Sequence, residues 1–110
     1  MWLEYGKTFL GRKTIELKPV TNAPPVSIGS GKNQDVVLED PQCTEAHASI
    51  RYWDDCFVLM NKDAKNGTTV DGNRVEVCRI QPGDIIKIGE TKLQLLADEK
   101  HYRDDVTIRR

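Results

Sequence analysis

No apolar run in this chain approaches the length needed to span a bilayer. The opening "MWLEYGKTF" holds no apolar stretch long enough for a secretory signal. Charge of one sign is not in excess. Lys and Arg number 16 against 17 Asp and Glu, a formal net charge of −1. That balance points away from nucleic acid as a partner, and the lack of a long apolar run leaves no membrane insertion expected. Cysteine is scarce. Cys43, Cys56 and Cys78 leave one thiol unpaired under any disulfide scheme, which points to a reducing, cytoplasmic setting. Internal repeats and low-complexity tracts are absent. No window of about eleven residues carries a helical apolar stripe.

What the chain does have is short, often alternating apolar segments bounded by turn residues. "TIELKPV" alternates Ile15 and Leu17, then Val20. "HASIRYW" puts Ala48, Ile50 and Tyr52 on one face, and "CFVLM" is a short continuous apolar run. "TTVDGNRVEV" reads as two strands around an Asp71-Gly72 hairpin turn. "QPGDIIKIGETKLQLL" predicts a Pro-Gly turn, a strand over 84–88, a second turn and a strand over 92–96. Pro24, Pro25 and Pro41 break anything helical near them. Many short strands at close spacing predict a β-sandwich or barrel. The length of 110 residues suits one domain able to bury its own core. We place that domain over residues 1–97 and read the charged stretch 98–110, "DEKHYRDDVTIRR", as a tail, a linker into a further domain or an edge extension.

The stretch "SIGSGKNQDVVLED" invites a nucleotide reading. A phosphate-binding loop needs Gly, four residues, then Gly-Lys-Ser/Thr, and a helix after it. Here Asn33 follows Gly31-Lys32, Val26 holds the place of the first glycine, and "DVVL" is a strand pattern. No nucleotide or other cofactor is expected. Cys43 and His47 are spaced as metal ligands but lack a second pair, so no metal is expected either. No Ser/His/Asp or Cys/His arrangement carries the local context of catalysis. Cys56 and Cys78 lie in strand patterns and read as small core residues. Trp53 reads either as core or as an exposed contact residue.

A different order of motifs runs through the chain: Ile28-Gly29, Asp35 to Leu38, Thr44 to His47, Asn66-Gly67-Thr68 and Pro82-Gly83-Asp84. In that order and spacing it resembles the forkhead-associated (FHA) family, over roughly residues 2 to 97. "LEYGKTFLGRKTIEL" is similar to that family's first hairpin. The resemblance implies an all-β fold, a twisted two-sheet antiparallel β-sandwich of about eleven short strands. It also implies a non-enzymatic signalling module whose loops at one end recognise a phosphothreonine-bearing protein partner. In the family's usual pocket an arginine follows the Ile-Gly glycine, a serine opens a Ser-Arg-x-His stretch, the asparagine of Asn-Gly holds the partner's main chain, and the histidine is buried and shapes the loop.

Carried over by position, Ser30 stands where the phosphate-binding arginine is expected. Thr44 replaces the serine and keeps a hydroxyl. Glu45 stands where a second arginine is common. Asn66, Gly67 and His47 are retained. A phosphate carries close to two negative charges, and arginine offers it a planar two-pronged fork. Exchanging that fork for one neutral hydroxyl weakens binding about ten- to a hundredfold. Lys32 and Lys65 are the candidates to supply charge instead, and Gly29 and Gly31 to present backbone N–H groups. Each residue also has a plainer reading: Asn66-Gly67 as a tight turn, Thr44 as a turn residue, Ser30 and Gly31 as loop closure, Lys32 and Lys65 as solvated lysines. Phospho-independent assembly and a regulatory role in front of an output domain are the alternatives. A phosphorylated Thr8 or Thr107 folding back onto the same pocket is a further one.

Overall fold

A computed structural model describes residues 1–6, 13–63 and 65–97. Thr8, Thr107 and the tail proposed over 98–110 lie outside the described residues. Eleven strands form among the described residues: β1 (Trp2–Gly6), β2 (Lys13–Glu16), β3 (Val26–Gly29), β4 (Val36–Val37), β5 (Ala48–Trp53), β6 (Cys56–Asn61), β7 (Thr68–Val70), β8 (Asn73–Val75), β9 (Val77–Ile80), β10 (Ile85–Ile88) and β11 (Thr91–Leu96). They make a six-stranded sheet in the order β2-β1-β11-β10-β7-β8 and a five-stranded sheet in the order β4-β3-β5-β6-β9. The described pairings are antiparallel except β3 with β4, which is parallel.

The alternation read from the sequence places the core. Ile86 and Ile88 of β10 and Leu93 and Leu95 of β11 are fully buried, while Ile85, Lys87 and Lys92 face water. From the other sheet Ile28, Ile50 and Leu59 meet them, with Phe57 edge-on to Tyr52 at a centroid distance of 5.1 Å. Each buried aliphatic side chain of this kind contributes about 1.5–3 kcal/mol. The Asp71-Gly72 hairpin forms as expected. Both residues have positive φ, 51° and 90°, the geometry that matches strand twist in a two-residue turn. The β5–β6 turn is built the same way on Asp54 and Asp55.

Three details differ from the sequence reading. Val20 falls after β2, outside the sheet and half exposed, because the alternation stops at Leu17. Cys56 is on the outer face of β6, opposite Trp53, and only Cys78 of that pair packs against the core. The most buried thiol is Cys43, in the loop between β4 and β5. Trp53 is exposed, with the Arg51 guanidinium 5.2 Å from its ring centroid.

Burial, aided by the negative charges of Asp40 and Asp63, pushes the Cys43 thiol up from 9.0 to about 11. The fold therefore favours the neutral thiol. Its contribution is complete below about pH 9 and is lost as pH rises toward 11, about 1–3 kcal/mol in all. Denaturant unfolding at mildly and strongly alkaline pH should show that loss in the wild type and a shallower one in Cys43→Ala. Equal losses in both would refute it.

Candidate functional site

The loops that carry the candidate residues gather at one end of the sandwich. The loop after β3 is closed by Asp35, whose Oδ2 accepts from Ser27 N at 2.9 Å and Ser27 Oγ at 3.2 Å, while Asp35 N donates back to Ser27 Oγ. The same loop is laced to the β4–β5 loop: Ser30 N donates to Thr44 O at 2.9 Å and Gly31 N to Glu45 O at 3.2 Å. Gly31 N–H is thus engaged inside the protein, which corrects the expectation that it faces an anion. Gly29 is required for this approach, since a Cβ there would sit 2.0 Å from Glu45 O. The Glu45 side chain lies over Gly31, with Cγ 2.7 Å from where a Cβ would be.

His47 joins the β4–β5 and β6–β7 loops from beneath and is fully buried. Its Nδ1 accepts from Thr44 N at 3.2 Å, so the ring proton sits on Nε2, which donates to Gly67 O at 2.9 Å. The two readings of this histidine, interior residue and shaper of the loop, describe one arrangement. Thr44 Oγ1 is 3.5 Å from Nδ1, and Asp63 Oδ2 lies 3.4 Å from the same atom. Asn61 organises the β6–β7 loop: its Nδ2 donates to Asp63 O and its Oδ1 accepts from Asp63 N and Thr68 Oγ1.

Asn66 crosses between loops. Its Nδ2 donates to Gln42 O at 2.9 Å, so one amide hydrogen braces the β4–β5 loop. The amide carries a second N–H and a carbonyl oxygen. Gly67 turns the chain with φ 74°. Asn66-Gly67 is therefore a tight turn and also a strut against the loop that holds Thr44.

Ser30, Thr44 and Asn66 are all exposed and are joined through Thr44 O, Gln42 O and the His47 ring. Lys32, Glu45 and Lys65 are exposed on the same loops. Gly29 lies below the rim, buried, together with His47. Two residues were missed in the sequence. Asp40, buried, ties the β4–β5 loop to the β10–β11 turn through Glu90 N and Thr91 Oγ1. Arg74 of β8 reaches back to Gly67. An Asp followed by Pro41 is a turn signal that marks the first of these; nothing local marks the second.

The chain is thus an all-strand, two-sheet sandwich with these loops clustered at one end. The sequence profile of the FHA domain matches residues 26–89, and the chain belongs to that family. The glycogen accumulation regulator GarA of Mycobacterium tuberculosis is 29% identical over 79 residues, 72% of this chain and 49% of GarA. This chain thus spans about half the length of that curated relative. The crystal structure of the FhaA FHA domain complexed with the intracellular domain of Rv3910 superposes with a TM-score of 0.73 at 24% identity, over 84% of this chain and 96% of that one. EmbR of Mycobacterium tuberculosis, solved in complex with a low-affinity phosphopeptide, gives a TM-score of 0.70 at 21% identity, over 88% of this chain and 25% of EmbR. Similarity at that level establishes the shared fold. Among the described residues no helix is long and apolar enough to cross a membrane.

Proposed function

We propose that this domain is a non-catalytic, cytoplasmic docking module that takes a phosphothreonine-bearing protein segment on the rim formed by Ser30, Thr44 and Asn66. The observation that carries the reading is the set of hydrogen bonds that brings those three residues onto adjoining loops. Three loops from distant parts of the chain converge, and hydroxyl and amide groups stand exposed where they meet. Phosphopeptide binding by EmbR and protein binding by the FhaA domain support the same use of the shared fold. Ser30 and Thr44 hydroxyls donate to phosphate oxygens, Asn66 holds the main chain of the partner, and Lys32 and Lys65 bring positive charge as point cations.

Titration of a labelled phosphothreonine peptide, with its unphosphorylated twin as control, tests this. The phosphorylated form should bind at least about tenfold more tightly. Thr44→Ala should remove most of that preference, and Asn66→Ala should weaken binding of the phosphorylated peptide about tenfold or more through loss of its hold on the main chain. Ser30→Arg should strengthen binding by about ten- to a hundredfold, because it restores the guanidinium fork at the loop tip. Equal binding of the two peptides by the wild type would overturn the reading.

One observation favours a second role. The outer face of the five-stranded sheet carries Trp53, Met60 and Val77, all exposed large apolar residues, along strands β5, β6 and β9. A phospho-independent assembly contact on that face suits a domain that works as part of a larger protein. Self-association in sizing chromatography that survives Asn66→Ala would support it.

A further inference from the structure

The rim of Ser30, Thr44 and Asn66 has an electrostatic gap. Neither Ser30 nor Glu45 brings positive charge to the loops, and Glu45 adds a negative one, its side chain folded over Gly31. The lysines on the rim are compact, strongly hydrated charges without a fork. A guanidinium does reach this end of the molecule, from an element the motifs do not include. Arg74 stands in the middle of β8, paired with Thr69 of β7. Its side chain lies against Gly67, where a built Cβ would come within 2.8 Å of its Nε and Cζ and 3.0 Å of Nη2. Gly67 directly follows Asn66 and accepts from His47 through its carbonyl. The absence of a side chain at 67 leaves the room that the guanidinium occupies, against the residue that follows Asn66 in the chain. Arg74 is solvent-exposed in that position.

We propose that Arg74 supplies the guanidinium of this recognition site and contacts an anionic group of the docked segment. The inference rests on the reading above of the rim as a docking site for a phosphorylated partner. The anionic group is either the phosphate itself or a carboxylate flanking the phosphothreonine. Both present oxygen pairs that a guanidinium meets with two parallel hydrogen bonds. Nothing in the local sequence "DGNRVEV" marks this role, because the hairpin turn brings Arg74 back toward Gly67 only once β7 and β8 pair.

The test uses Arg74→Gln, which removes the charge at similar size, and Arg74→Lys, which keeps the charge and loses the fork. Thermal melts first establish that both fold like the wild type; should Arg74→Gln fail to fold, Arg74→Lys carries the comparison. Binding is followed by fluorescence anisotropy with alanine-based peptides of three kinds: phosphothreonine alone, phosphothreonine followed by glutamates, and unphosphorylated threonine followed by glutamates. Arg74→Gln should weaken binding about ten- to a hundredfold, and Arg74→Lys by a smaller factor. A loss with the peptide that has phosphothreonine alone assigns the phosphate as the contact. A loss confined to the peptides with glutamates assigns the carboxylate. If the wild type binds the acidic peptide equally with and without phosphate, and Arg74→Gln abolishes this, the phosphate reading fails and the Arg74 assignment stands. If both variants match the wild type in every arm while phosphate still matters, Arg74 is overturned and the docking reading stands. Binding of no peptide by the wild type overturns both.

Discussion

Gly29→Ala should destabilise the domain by on the order of 3–5 kcal/mol, enough to leave much of a small domain unfolded. A methyl group at this position would sit 2.0 Å from the Glu45 carbonyl oxygen and 2.7 Å from its carbonyl carbon. The obstacle is backbone, so no side chain can rotate away. The β3 end and the β4–β5 loop must part, and Ser30 N→Thr44 O, Gly31 N→Glu45 O and His47 N→Ile28 O lie in the seam that opens. Each such bond contributes about 0.5–1.5 kcal/mol net, and buried groups left without partners cost more. Gly72→Ala is the control. Its Cβ would meet nothing within 4 Å, so its effect is limited to the positive φ of 90° and should be about 1–2 kcal/mol. Urea unfolding of the two variants gives the comparison. A midpoint for Gly29→Ala equal to that of Gly72→Ala would show that the two loops separate without penalty.

The same seam explains why the candidate site was partly legible in the sequence. Ile28-Gly29, Thr44 to His47 and Asn66-Gly67 are local patterns, and each performs a local act: a close approach, a loop folded onto a histidine, a tight turn. Strand positions were legible for the same reason, since Ile86, Ile88, Leu93 and Leu95 alternate in a way that only a pleated strand with one buried face requires. β4 is the instructive case. "DVVL" reads as a strand over four residues, yet only Val36 and Val37 pair. Asp35 is taken up by Ser27 on one side, and Leu38 N donates to Gly29 O on the other. Composition could not show those limits, because both partners come from the neighbouring strand.

What the sequence hid are contacts made across long separations. Cys43 sits in a polar stretch, "PQCTEAH", with no apolar alternation around it, and is buried because the loop folds inward between Asp40 and Thr44. Arg74 lies in a hairpin whose own pattern reads as solvent-facing. Its guanidinium gains meaning from Gly67, a residue in the preceding loop. Candidate lysines were visible because they adjoin motif residues. The guanidinium was not, because its distance from Gly67 is set by strand pairing.

Asp40 is the largest such omission, and its removal should have the second large effect. Asp40→Ala should cost about 3–5 kcal/mol and loosen the β4–β5 loop and its neighbours in whatever fraction remains folded. The side chain is buried at 4% exposure. Its Oδ1 accepts from Gln42 N at 2.9 Å, and its Oδ2 accepts from Glu90 N at 2.9 Å and Thr91 Oγ1 at 2.8 Å. Those partners lie on the β4–β5 loop and, about fifty residues on, at the β10–β11 turn, so one carboxylate holds the loop that carries Thr44 against the opposite sheet. Hydrogen bonds to a charged acceptor contribute about 1.5–3 kcal/mol each, and alanine leaves all three donors without it. Asp40→Asn keeps one oxygen and shape, so it should lie between alanine and wild type. Its NH2 must then face a backbone N–H or the Thr91 hydroxyl. Hydrogen exchange should report the loss at the amides of Gln42 and Glu90 first, and at Cys43, whose N–H donates to Asp40 O. Because Asn66 leans on Gln42 O, the damage should reach the rim, and peptide binding should fall in Asp40→Asn beyond what its unfolded fraction explains. Unchanged exchange at Gln42 and Glu90 in Asp40→Asn would show that the loop stands without the carboxylate.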